Sequence, residues 1–418
     1  MSELRFARLR GRVLATAFAV ALLSGVTTLM PRVGYAQETP PPPPPPPEEA
    51  APTTPTTTPQ TPNPTSSGTG SGGGGRFLLL PDISLNGILT GHSGTDKRDK
   101  ERDRFRLSEA EIGIQSYVYP GIKLDSFIVF DGGGEVGVEE LFLTYQNVSI
   151  AHLPLSAVVG RRKAPFGRVN QLHPHSWLYI VQPYVLSNLV SEESLTGDGG
   201  YLSYLLPTGK KLFTQLDLGV WSQSEEAEEI PTPPNPASEI VTSPGAGFKD
   251  KFGTARLHLA ADMWGGSLEL GGSVAGGHGV TYTLNDDGPS VSPRILLSGA
   301  DVTYRRSGNG TKRLLLRGEY LQHHQEDHSF RRTTDGYYLF ADERLDPYNS
   351  IGLRYDSTGF SYAPGRMRGI SLVATHQLTE ATLYRLQLIH SDRPGKRNDD
   401  EIYLQIIFGA GPHTHNLE

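Results

Sequence analysis

Residues 111–131 read EIGIQSYVYPGIKLDSFIVFD, two alternating runs joined by a turn. In the first run Ile112, Ile114, Ser116 and Val118 share one face, and Glu111, Gln115 and Tyr117 the other. In the second, Ile122, Leu124, Ile128 and Phe130 alternate with Lys123, Asp125 and Asp131. A period of two belongs to a β-strand, whose successive side chains point to opposite faces. Tyr119-Pro120-Gly121 supplies the turn chemistry between the runs. The stretch is therefore a β-hairpin with one apolar and one polar face.

The same rhythm continues down the chain. Leu257 and Leu259 alternate with Arg256 and His258, and Ile351, Leu353 and Tyr355 with Arg354 and Asp356. Near the end Ile402, Leu404, Ile406 and Phe408 alternate with Tyr403 and Gln405. A soluble sheet with such faces needs a second layer to cover them. No amphipathic helix is available for that purpose, so the solvent for the apolar faces is lipid. Within hydrocarbon every backbone amide must be paired, and a sheet achieves this only by closing on itself.

The connections alternate in length. Short ones fall at residues 119–121, 147–154, 207–209, 262–265, 307–310, 346–347 and 378–380. Longer polar ones fall at 92–104, 132–135, 165–199, 223–250, 278–292, 323–335, 357–366 and 391–399. Threading them gives an all-β fold, a transmembrane antiparallel up-and-down β-barrel of about 16 strands with short periplasmic turns and long outer loops. Tyr145, Tyr304, Tyr320 and Tyr355 fall near strand ends, where an interfacial aromatic belt would sit.

Residues 76–418 form the expected barrel, and two other segments precede it. Residues 1–36 read as a cleaved signal peptide, with Arg5, Arg8, Arg10 and Arg12 before a largely apolar stretch and Gly34-Tyr35-Ala36 as the cleavage site. Residues 37–75 are rich in Pro, Thr, Gly and Ser, and cannot bury a core. They are expected to be a disordered Pro-rich spacer, serving as plain separation or as a periplasmic tether toward the cell wall. The chain has no cysteine, so disulfides contribute nothing to its stability. Its formal net charge of −7 speaks against a nucleic-acid partner, which calls for a concentrated basic face.

Gly160-Arg161-Arg162-Lys163-Ala164-Pro165-Phe166-Gly167-Arg168 resembles the strand-to-loop segment of porin-like barrels, including the phosphate-selective porin group. Leu172-His173-Pro174-His175 and the ending Phe408-Gly409-Ala410-Gly411-Pro412-His413 are similar to barrels described as zinc-regulated outer-membrane receptors. The resemblance implies an integral protein of the bacterial outer membrane, in contact with its lipid. The general porins it resembles imply a homotrimer.

Two sites are expected from this reading. In general porins the third outer loop folds into the channel and narrows it. Here that loop carries Glu192 and Glu193, with Asp198 at its end, while the strand before it ends in Arg161, Arg162 and Lys163, followed by Arg168. Acidic loop against basic wall would form a constriction for small polar solutes or ions. The inferred inward charges are mixed, Lys123, Arg162, Arg256, Arg313, Arg317, Arg354 and Arg385 being offset by Glu109, Glu111, Asp125, Glu140, Asp217, Glu269, Glu319 and Asp356. A strongly anion-selective pore would show a basic ladder without that compensation.

The second site is His323, His324, Glu326, Asp327 and His328, placed in one outer loop. Imidazole and carboxylate are donors for zinc or nickel, so these residues are either a zinc-type site or simply a solvated polar loop, and no other cofactor is suggested. The expected function is a channel for passive diffusion, with a metal-linked receptor or binding barrel lacking a plug domain as the alternative. No enzyme is expected. Gly91-His92-Ser93-Gly94 lacks the spacing of a nucleophile elbow, and no acid, base and nucleophile set can be assembled.

Overall fold

The computed structural model describes residues 80–412 except 98–101, 151, 192–193, 224–246, 281, 284–289, 309–311, 329, 362–363, 380 and 395–398. The expected signal peptide and spacer lie outside the described residues, as do Glu192 and Glu193.

The first strands are β1 (Asp82–Gly94), β2 (Arg104–Tyr119), β3 (Ile122–Asp131), β4 (Val136–Ile150), β5 (Leu153–Lys163) and β6 (Thr196–Leu205). They continue with β7 (Leu212–Gln223), β8 (Phe248–Met263) and β9 (Gly266–Gly279). A minor hairpin, β10 (Tyr282–Thr283) and β11 (Ser290–Val291), interrupts the next connection. Then come β12 (Arg294–Ser307), β13 (Arg313–Asp327), β14 (Phe330–Arg344) and β15 (Asn349–Gly359). The last are β16 (Arg366–Thr379), β17 (Thr382–Asp392) and β18 (Asp399–Ala410).

Apart from the minor hairpin, each strand pairs antiparallel with its neighbours in the chain, and β1 pairs with β18 to close a barrel of 16 strands. Closure leaves no edge, so every barrel strand has a partner on both sides. The expected barrel and its strand number agree with the structure, and so do the short turns except that at 147–154, where β4 runs on to Ile150 and β5 already begins at Leu153.

The faces divide as the alternation requires. Leu218, Val220, Leu257, Leu270, Leu339, Leu353 and Ile402 are exposed on the outside, while Asp217, Arg256, Glu319, Arg354 and Asp356 turn inward and are buried. Tyr145 and Tyr304 lie outward near the short-turn end, together with Tyr384 and Phe408. Tyr320 and Tyr355 also point outward, but they sit well inside β13 and β15 rather than at their ends.

One expected connection is absent. Residues 323–335 are not a loop, because β13 continues to Asp327 and β14 begins at Phe330. Polarity suggested a loop there, yet in a barrel the inward positions of a strand are polar as well. His323 and Gln325 are such positions, both fully buried.

Candidate functional site

The long connection between β5 and β6 enters the barrel. It holds two 3-10 turns, Val169–Gln171 and Pro174–Ser176, and a short helix α1 (Tyr184–Leu189). Pro174 opens the second turn and Pro183 precedes the helix, each with a φ suited to starting a helical turn. Apolar side chains of this loop, among them Phe166, Leu186 and Leu189, pack with inward-facing Leu297, Leu315, Leu321 and Phe340 of β12–β14. Part of the lumen is thus a hydrophobic core.

Polar wall groups fasten the loop's main chain. The Glu319 carboxylate accepts the N–H groups of Arg168 and Val169 at 3.0 and 2.9 Å. Asp356 accepts from Tyr184 N–H at 3.1 Å, and Gln387 Oε1 from Ile180 and Val181. Arg354 and Arg385 donate to the carbonyls of Val181 and Tyr179. Each latch satisfies loop amides that no sheet or helix ladder serves.

Two glycines permit the close approach. Gly167 has a φ of 59°, and a Cβ there would lie 2.5 Å from Glu319 Oε2. At Gly369 on β16 a Cβ would meet the Tyr184 ring at 2.7 Å.

On the opposite wall the loop meets acid. His173 Nε2 lies 2.9 Å from Glu140 Oε2, and its Nδ1 lies 2.9 Å from Glu111 Oε2 and 3.0 Å from Glu139 Oε2. Both Glu139 and Glu140 reach inward because the β3–β4 register shifts there, pairing Phe127 with Glu140 but Ile128 with Val138. Glu139 is the extra residue of a β-bulge, and a bulge re-aims a side chain in this way.

The described residues of the expected constriction do not share one face. Arg161 pairs with Asp198 on the outer face at 2.7 Å, so neither lines the lumen. Strand alternation decides this, because Leu141, opposite Arg161, is an exposed outward residue. Lys163 does turn inward but is buried beneath the loop, its Nζ 2.8 Å from Glu139 Oε1 and 3.2 Å from the Leu172 carbonyl. Arg162 faces the lumen, its guanidinium 4.3 Å above the Phe142 ring and bonded to Tyr201 Oη. Arg168 also faces it, with Glu269 at 3.8 Å. Among the described residues, acidic wall groups hold loop N–H groups and a loop histidine, while Glu192 and Glu193 of the expected field lie outside them.

The expected metal set is not assembled. His323 faces the lumen and His324 the outside, where it contacts Thr333 and Glu326. Asp327 accepts the N–H groups of Ser292 and His328. Neighbours on a strand diverge, so these five side chains do not converge on one ion.

Toward the short-turn end lies a cavity of about 370 Å³, roofed by the loop at His175–Leu178. Arg313, Arg344 and Arg385 outnumber Asp342 among its charged lining residues. In the adjacent turn the Asn349 side chain and the Tyr348 N–H hold the Asp346 carboxyl below the ordinary carboxylate range.

No protein family's sequence profile matches this chain. Among curated proteins, an uncharacterized protein of Aquifex aeolicus is 24% identical over 252 residues, which is 59% of this chain. The alignment takes in 51% of that protein, so the chain spans about half the length of the curated relative it matches. Among solved structures, in-vitro folded OmpT, an outer membrane protein of Vibrio cholerae, has a TM-score of 0.52 at 10% identity. That match covers 80% of this chain and 100% of OmpT, which has also been solved in a trimer form. An anion-selective porin from Comamonas acidovorans gives 0.51 at 12% identity, over 79% and 100% of the two chains. OmpF of Salmonella typhi in complex with daunomycin gives 0.50 at 11%, over 79% and 97%. At such identities the likeness is one of fold, a porin-type barrel.

Proposed function

We propose that this protein is an outer-membrane channel for passive diffusion of small polar solutes or ions, narrowed by its own inward-folded loop. The carrying observation is a closed barrel with lipid-suited outside, charged inside and a loop latched across the lumen. Barrels of this strand number have room for an aqueous channel, and lining charges with a constriction select among solutes. The solute path runs past Arg162 and Arg168 and over the arginine-rich vestibule below the loop. Homotrimeric assembly belongs to this reading and is supported by the trimer form of the Vibrio cholerae barrel. Reconstitution of the refolded barrel in planar bilayers tests it. Stepwise ohmic conductance is expected, and a correctly folded barrel that passes no current would overturn the proposal.

A further inference from the structure

Glu111, Glu139 and His173 present three ligand atoms that all lie within 4.8 Å of one another, from β2, β4 and the loop. We infer that they form a binding site for a divalent cation of the zinc type, with His175 beside it, and that this ion ties the loop to the barrel wall.

Each of the three groups is held by its other atom. Glu111 Oε1 accepts from Asn86 Nδ2 at 3.4 Å, which leaves Oε2 toward His173. Glu139 Oε1 lies 2.8 Å from Lys163 Nζ, which leaves its Oε2 toward the same ring nitrogen. His173 Nε2 lies against Glu140 Oε2, which in turn is fixed through its other oxygen by the Lys163 N–H at 2.8 Å. An outer carboxylate that orients a ring through one nitrogen, and so aims the other, is the usual surrounding of a metal-bound histidine.

The remaining geometry points the same way. His173 Nδ1 carries at most one proton, yet two carboxylate oxygens approach it to 2.9 and 3.0 Å. Both oxygens and the ring nitrogen converge on one point, where a cation would take the place of the Nδ1 proton while Nε2–H stays on Glu140. His175 Nδ1 lies 3.9 Å from the same Glu111 oxygen, and with Glu109 and Glu111 it forms a second converging set. Mixed nitrogen and carboxylate donors suit zinc and its neighbours better than calcium or magnesium.

The barrel, tag-free and treated with EDTA, is titrated in detergent micelles with Zn²⁺ by calorimetry and with Co²⁺ by visible absorption. One tight equivalent per chain is expected, with Co²⁺ ligand-field bands. His173→Gln and Glu111→Gln are expected to weaken it at least a hundredfold, and Glu140→Gln, which removes only the orienting carboxylate, about tenfold. His324→Gln, in the outward histidine group, is expected to leave it unchanged. Wild-type barrel that takes up no stoichiometric ion would overturn the site, and this outcome does not depend on any variant folding. Binding that survives His173→Gln, or that His324→Gln abolishes, would overturn it too. Micellar binding is read without any conductance, so its failure and that of the channel proposal are separate results.

Discussion

Arg354 and Asp356, two residues apart on the inward face of β15, form an ion pair at 2.7 Å with both side chains fully buried. The pair also holds the loop, since Asp356 accepts the Tyr184 N–H and Arg354 donates to the Val181 carbonyl. Its guanidinium lies 4.6 Å from the centre of the Tyr179 ring. Removing one partner leaves a buried charge uncompensated, a loss of about 3–5 kcal/mol. Asp356→Ala is expected to lower the urea midpoint of the refolded barrel and expose residues 179–190 to protease. An Asp356→Leu, Arg354→Met double variant is expected to recover much of the midpoint. Equal resistance of wild type and Asp356→Ala would show that the pair does not secure the loop.

Gly167 occupies left-handed backbone beside Glu319, where a Cβ meets the carboxylate. Gly167→Ala is expected to cost about 1–2 kcal/mol in backbone strain alone. It should also disturb the Glu319 bonds to Arg168 and Val169. Single-channel records are expected to show larger or noisier conductance as the loop loosens. Records matching wild type would argue against a latch at this position.

Selectivity separates the two faces of the wall. Arg313 lines the vestibule, whereas Arg161 pairs with Asp198 outside. Arg313→Glu is expected to move the zero-current potential in a salt gradient toward cation preference, because the lining charge changes sign. Arg161→Glu is expected to leave it in place. A reversed order of the two effects would contradict the assigned faces.

The turn at Asp346 adds a pH dependence. Its carboxylate accepts from Asn349 and Tyr348, so its folded pKa lies below the ordinary Asp value. The stabilisation is present above the unfolded value of about 3.9 and is lost as pH falls through the lower folded one. Solvent screening keeps it small, on the order of 0.5 kcal/mol. Asp346→Ala is expected to show a lower urea midpoint than wild type at pH 7, with the gap shrinking as the pH is taken below the ordinary Asp value. A gap that persists in acid would place the effect elsewhere.

Much of the wall is legible in the chain. The turns at Tyr119-Pro120-Gly121 and Asp346-Pro347 fall where the residues indicate, and inward charges such as Arg256, Glu319 and Asp356 keep to the polar face of their strands. The site is less legible. The run containing His323, His324 and Gln325 looks like a loop because polar residues serve equally in loops and on inner walls. The bulge at Glu139 carries no turn residue to announce it, and without it Glu139 would face outward.

The periodic alternation, with nothing to cover its apolar face, was enough to specify an all-β barrel and which side of each strand meets lipid. That information is local, because a period of two needs no partner to be read. Only the tertiary structure decided what occupies the lumen. The β5–β6 loop joins wall residues far from it in the chain, with Glu111 and Glu139 on one side and Glu319, Asp356 and Gln387 on the other. Such convergence depends on barrel closure, strand register and one extra residue in β4, none of which a strand states about itself.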